Sequence, residues 1–378
     1  MKLFTQRHKG FAVLIGLVLF TLILSACGAG GGTNPSAPAA PVNGKGCTKV
    51  GILLPETATS ARWDGQDRPL LIKDLTAVVG PSGHVDYDNA QGSDATQLSQ
   101  AEADLTKGDC ILVVAPHDAA ASAAIVSKAK AQNVPVIAYD RLIQSKDLAY
   151  YVSFDGVAVG KLQGQYIVDH YKDFTKSGKN VVMINGSMTD NNALLFSQGA
   201  HQALDPLFSA GTLKKVYEQF TPDWNNATAQ TEMEAALTAN HNNIQIAYVA
   251  NDGMANSVVA ALKAQHLNGK VLVTGQDATV AGIHNILTGD QGMTVYKAIA
   301  KEAQGTADLA KALIAGTGAS SLTNGVTVKT SDGTAIPSIL ETPVAVDKTN
   351  IATTVIADGF VSKSDVCQGI AAGTDGVC

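Results

Sequence analysis

No block of Lys and Arg stands out in the body of this chain, which carries 27 basic and 33 acidic side chains for a formal net charge of −6. Phosphate backbones are held by clustered cations, so nucleic acid is excluded as a partner. A long apolar run is also missing. The stretch Phe11–Leu24 falls short of the roughly 20 residues that a spanning helix needs. The sequence contains no G-x-S-x-G elbow, no Walker A loop and no H-E-x-x-H helix. Its eight histidines are scattered without metal-ligand spacing, so neither a metal nor a cofactor is expected. No short period recurs, which excludes a solenoid. Tryptophan occurs only twice, at Trp63 and Trp224.

At 378 residues the chain exceeds what one core usually supports, so two domains are expected. Lys2, Arg7 and Lys9 precede the apolar stretch, and small residues follow it, which reads as a signal peptide over residues 1–26. The boundary Leu24-Ser25-Ala26-Cys27 resembles a bacterial lipobox, implying export and lipid attachment at Cys27 to the outer face of the cytoplasmic membrane. The alternative is an ordinary signal peptide with a cysteine near its cleavage point. One acyl chain binds a bilayer only marginally, and the lipid implied here supplies at least two. Residues 27–45 are mostly Gly, Ala, Pro, Asn and Ser and read as a flexible tether. Four further cysteines, Cys47, Cys110, Cys367 and Cys378, allow three connectivities. Cys47 and Cys110 each precede a strand candidate, and parallel neighbours would bring those starts together. Cys367 and Cys378 flank a short Gly-rich tail. These two pairings are favoured.

Beyond the tether, short apolar strands alternate with helices. Strands are predicted at Val50–Leu54, His84–Asp88, Ile111–Ala115 and Val134–Tyr139, with helices near Arg68–Val79, Gln97–Lys107 and Ala119–Gln132. The rhythm restarts with a helix at Gly160–Tyr171. Strands follow at Asn180–Asn185, Leu213–Glu218, Ile246–Ala250 and Val271–Thr274, with helices at Ala193–Leu204, Ala227–Ala239 and Met254–Ala264 between them. This is an α/β pattern with mainly parallel sheets in two lobes.

Polar constellations fall after the strands, where open α/β sheets bind ligands. They are Asp140-Arg141, Asp190 with Asn192, Asn251 with Asp252, and Gln276-Asp277. Asp190 and Asn251 also precede helices and fit the role of N-caps. The tryptophans sit in polar loops, as Arg62-Trp63-Asp64 and Asp223-Trp224-Asn225. An indole covers the C–H face of a pyranose well, and carboxylates, guanidinium, amide and the Lys297 ammonium together satisfy a ring of hydroxyls. Two carboxyls at the right separation would also hydrolyse a glycoside. The neighbouring cations Arg62, Arg141 and Lys297 instead predict ionised acids that serve as hydrogen-bond acceptors.

The segments SARWDGQD (60–67), VIAYDRLI (136–143), GSMTDNNALLFSQG (186–199), DWNNATA (223–229), VANDGMA (249–255), TGQDATVAGI (274–283) and MTVYKAIA (293–300) together resemble the D-xylose-binding proteins of bacterial ABC importers. These belong to the type I periplasmic-binding family. The resemblance covers essentially everything after the tether. It implies a two-lobed fold with three crossovers, near Val152–Asp155, Thr294–Lys297 and Ile339–Val344. The N-terminal lobe would comprise residues 46–153 and 296–338, and the C-terminal lobe residues 154–295 and 339–378. It further implies that Trp63 and Trp224 stack on the sugar. Arg62, Asp140, Arg141 and Lys297 would contact hydroxyls from one side, and Asp190, Asn192, Asn251 and Asp277 from the other. The expected partners are a monosaccharide, D-xylose foremost, and the permease of an ABC importer. The expected form is a monomer. An extracellular sensor that presents its sugar to a membrane receptor would have the same pocket. The stretch Pro55–Thr59 departs from the family pattern, which leaves open what precedes Arg62.

Overall fold

The computed structural model describes residues 43–378. The predicted signal segment, Cys27 and all but the last residues of the predicted tether lie outside the described residues. Among the described residues, thirteen strands fall in three sheets. In the first lobe, β1 (Lys49–Leu54), β2 (His84–Asn89), β3 (Ile111–Val114), β4 (Val136–Tyr139) and β5 (Tyr150–Phe154) join β11 (Thr327–Lys329) and β12 (Ala335–Glu341). Their order is β11-β12-β5-β4-β3-β1-β2, parallel throughout except for the antiparallel β11–β12 pair. In the second lobe, β6 (Asn180–Asn185), β7 (Lys214–Phe220), β8 (Ile246–Val249) and β9 (Leu272–Val273) form a parallel sheet of order β7-β6-β8-β9. β10 (Thr294–Tyr296) pairs antiparallel with β13 (Val344–Val346).

Helices cover both sheets. In the first lobe these are α1 (Arg68–Val79), α2 (Asp94–Lys107), α3 (Ala123–Ala131) and, later in the chain, α9 (Ile299–Ala315). In the second they are α4 (Gly156–Phe174), α5 (Asn191–Ser209), α6 (Asn226–Ala239), α7 (Asp252–Ala264) and α8 (Val280–Thr288). The central strands β3, β4 and β8 are buried along their whole length, which is why they read as unbroken apolar runs. α4 and α5 approach so closely that a Cβ on Gly160 would lie 1.8 Å from the Phe196 carbonyl oxygen. Only glycine fits that crossing. It fixes α5, which carries Asn192 and Phe196, against the helix that leaves the hinge.

The chain passes between the lobes three times: from β5 into α4, from β10 into α9, and from β12 into β13. Disulfides join Cys47 to Cys110 and Cys367 to Cys378. The first staples the starts of β1 and β3, which are parallel neighbours. The second closes the loop 367–378, whose Val377 joins Val355, Val361 and Val366 in a cluster with Ile283 and Ile286 of α8.

Candidate functional site

Four of the second lobe's helices, α5 to α8, begin after its own strands, and each has a short polar side chain as its N-cap. Asp190 accepts from the Asn192 N–H, Asn225 from Thr228, Asn251 from Met254, and Thr279 from Gly282. Capping therefore explains these residue types locally. It does not exhaust them, because Asp190 and Asn251 also face a cavity between the lobes.

All ten residues singled out from the sequence line that one cavity: Arg62, Trp63, Asp140, Arg141, Asp190, Asn192, Trp224, Asn251, Asp277 and Lys297. Thr59, Ser60, Phe196 and Gln276 complete the lining. Gln276 carried a signal, since it lies beside Asp277 after a strand. Phe196 is apolar and stands one helical turn after Asn192, so nothing separates it from a core residue by type.

The first lobe contributes a buried charge cluster. Arg62 places Nε and Nη2 on the Asp67 carboxylate at 2.8 and 2.6 Å, Nη1 on Asp140 Oδ2 at 2.8 Å, and Nη2 on Glu302 at 3.2 Å. Lys297 Nζ donates to Asp140 Oδ2 at 3.0 Å and lies 3.8 Å from Asp277. Burial pushes the Asp140 carboxyl up, but the Arg62 and Lys297 charges, joined by Arg141, overcome that and hold it well below the usual carboxylate range. Asp140 is thus an acceptor, as the neighbouring cations predict. Asp190 and Asp277 shift the other way. Burial raises both above the ordinary carboxyl value, against the opposing pull of Arg141 on Asp190 and of Lys297 and Arg62 on Asp277. Too many carboxyls share too few cations in a dry place. Glu302, beneath Arg62, is driven further up by burial and by Asp140.

Several bonds cross between the lobes. Arg141 Nε meets Asp190 Oδ2 at 2.9 Å, and Asn192 Nδ2 donates to the Asp140 carbonyl at 2.9 Å. The Ala119 N–H donates to the Thr189 carbonyl at 2.9 Å. The lobes are therefore closed on each other. The cavity between them measures about 30 Å³, room for two or three waters at the roughly 10–15 Å³ each requires.

The two indoles are held differently. Trp63 belongs to a helical turn of the π type, Trp63–Asp67, that runs into α1, where the sequence predicted a loop. The Arg62 and Arg141 guanidinium carbons lie 4.6 and 5.2 Å from its ring centroid, so its face is occupied by cations in this closed arrangement. Trp224 sits in a short 3₁₀ turn with φ of 55°, and its Nε1 donates to Asp190 Oδ2 at 3.2 Å. A Cβ on Gly186 would lie 2.2 Å from this indole, so glycine there is what lets the ring lie flat against the strand end. Asp140 and Asp277 also take positive φ, 57° and 100°. Such backbone is sparse for residues with side chains, and it gathers where a site is held in place.

The sequence profile described as the periplasmic binding protein domain matches residues 72–318. The D-xylose-binding periplasmic protein of Haemophilus influenzae is 38% identical over 84% of this chain and 92% of its own length. The multiple sugar-binding periplasmic receptor ChvE of Rhizobium radiobacter is 36% identical over 82% of this chain and 90% of its own. Among solved structures, a carbohydrate transporter solute-binding protein from Chloroflexus aurantiacus in complex with D-glucose superposes with a TM-score of 0.72 at 32% identity, covering 84% of this chain and 97% of that one. With a family profile across most of its length, and with two lobes of parallel sheet joined by three crossovers, the chain belongs to the periplasmic binding protein family, in its sugar-binding branch of the type I fold.

Proposed function

We propose that this chain captures a monosaccharide, D-xylose foremost, between its lobes and delivers it to an ABC importer. The observation that carries this reading is the joint lining of one inter-lobe cavity by both tryptophans and a ring of carboxyl, amide, guanidinium and ammonium groups. That set covers an apolar ring face and satisfies hydroxyls around its edge. The relative named for D-xylose supports xylose, while the glucose held by a solved relative makes glucose the chief competitor. The relatives are named as binding proteins and receptors, which supports a carrier that performs no catalysis.

Both lobes wall the cavity and bonds join them across it, so capture begins with the lobes parted. Asp140, Asp190 and the cations that pair with them, Arg62 within the first lobe and Arg141 across the cleft, then exchange some contacts for sugar hydroxyls as the lobes meet. Closure reports occupancy, and a permease that prefers the closed form responds by population shift.

Calorimetric titration of the mature chain with xylose, glucose, arabinose and ribose tests the reading. Saturable binding of at least one aldose is expected, and no heat with any of them would sink it. Trp224→Ala should weaken the favoured sugar at least about tenfold, or roughly 1.4 kcal/mol. One relative is named a receptor, which favours a second reading, a sensor partner. Pull-down from solubilised membranes separates a permease from a signalling receptor.

Export with cleavage after residue 26, lipid on Cys27, a tether over residues 27–45 and action as a monomer complete the proposal. Support for the anchor comes from the Leu24-Ser25-Ala26-Cys27 run. Cells fed labelled palmitate should label the wild-type protein and not Cys27→Ala. Equal labelling of both would refute the anchor.

A further inference from the structure

One fully buried carboxyl lies next to the cavity without lining it. Asp252 opens α7, immediately after Asn251. Its Oδ2 accepts from the Thr279 N–H at 2.8 Å and from the Thr279 hydroxyl at 3.2 Å. Its Oδ1 accepts from Gln291 Nε2 and the Thr294 hydroxyl, both at 2.9 Å. Its own N–H donates to the Gln276 carbonyl at 2.8 Å. The backbone closes around the carboxyl so tightly that a Cβ on Gly282 would lie 2.2 Å from Oδ2.

No Lys or Arg among the described residues forms an ion pair with Asp252. Burial raises it to about 7, with Asp277 the titratable neighbour whose charge adds to that rise. A desolvated carboxyl with no counter-ion is an expensive way to fill a core. What it supplies is two oxygens able to take four donors arriving from three directions.

Those directions matter. Asn251 lines the cavity from the start of α7. Gln276 and Asp277 line it from the loop before α8, which Thr279 anchors. Lys297 lines it three residues beyond Thr294, just past the strand β10 through which the chain recrosses to the first lobe. Thr294 also accepts from the Ala278 N–H at 3.2 Å, so the loop and the hinge strand meet at one hydroxyl.

We infer that Asp252 is a positioning residue that ties the α7 start, the 276–279 loop and hinge strand β10 into one unit, so that groups facing the sugar and the hinge that closes on it move together. For its effect on sugar this rests on the binding reading above; the tying itself does not.

The test uses Asp252→Asn, which sets an amide N–H against its donors, and Thr294→Val, which removes only the hinge-strand hydroxyl at constant shape. Hydrogen exchange of the sugar-free protein comes first. Both variants should speed exchange about tenfold or more at residues 276–279 and 293–297 while β6 and β8 keep wild-type protection. Affinity for the best aldose should then fall about tenfold. Thr294→Ser, which keeps the hydroxyl, should restore both readouts toward wild type. Unchanged exchange in those two segments, or a uniform rise across the whole second lobe, would overturn the inference. If Asp252→Asn does not fold, Thr294→Val decides alone. Should the wild type bind no aldose, the binding reading fails while the exchange result still judges the tie.

Discussion

Asp140→Ala is expected to lower sugar affinity at least about tenfold and to cost about 3–5 kcal/mol of folding stability, the range seen when one partner of a buried ion pair is removed. Both effects have one cause. Asp140 Oδ2 accepts from Arg62 at 2.8 Å and from Lys297 at 3.0 Å, and all three side chains are almost wholly buried. Truncation leaves Lys297 with only the more distant Asp277 carboxyl, 3.8 Å away, and takes from Arg62 the partner on its Nη1 in a dry cleft. Its backbone carbonyl meanwhile accepts from Tyr151, Ser153 and Asn192, bonds that an alanine retains. The loss is therefore electrostatic, with the loop still tethered. Asp140→Asn keeps the shape and one acceptor oxygen, and should recover part of the stability but less of the affinity. Chemical denaturation together with calorimetry measures both. Alanine and wild type binding alike, with the variant folded, would remove Asp140 from the site.

Loss of the Cys47–Cys110 bridge should be comparably large. The cysteines stand 63 residues apart, and opening a loop of that size releases the unfolded chain by roughly 4 kcal/mol on the loop-entropy estimate. The Cys367–Cys378 bridge, with a separation of 11, should contribute roughly 3 kcal/mol. Denaturant midpoints of the paired Ala variants test the order of the two. A larger loss from the shorter loop would contradict it. Sugar affinity should survive the first change, because neither Cys47 nor Cys110 touches the cavity.

Much of this protein is legible in its sequence because parallel sheets buried on both faces leave a plain trace. Ile111–Val114, Val136–Tyr139 and Ile246–Val249 are unbroken apolar runs, and each is a central strand. The cavity lining is legible for a related reason. Polar residues after strand ends must either cap a helix or face the cleft, and Asp190 and Asn251 do both. The helical turn at Trp63 was hidden, since Gly65 and the surrounding charges read as loop while the turn draws its order from Arg62 reaching Asp67 and Asp140. The upward shift of Asp190 and Asp277 was hidden as well. Spacing shows which cations are near in sequence, whereas desolvation depends on everything folded over them. Asp252 looked like one more polar residue after a strand. Only tertiary contact separates it, buried behind the cavity, from Asn251, which faces into it.

The bridge at the base of β1 has a mechanical side. A pull along the segment preceding Cys47 meets a single backbone bond, Gly46 N–H to the Ile314 carbonyl, and then that sulfur, two residues before β1 begins. The covalent link shares the load at once with the entry to β3, the strand hydrogen-bonded alongside β1. Force that would unzip one strand from an unlinked sheet is instead spread across two, and the cleft they support keeps its shape under load.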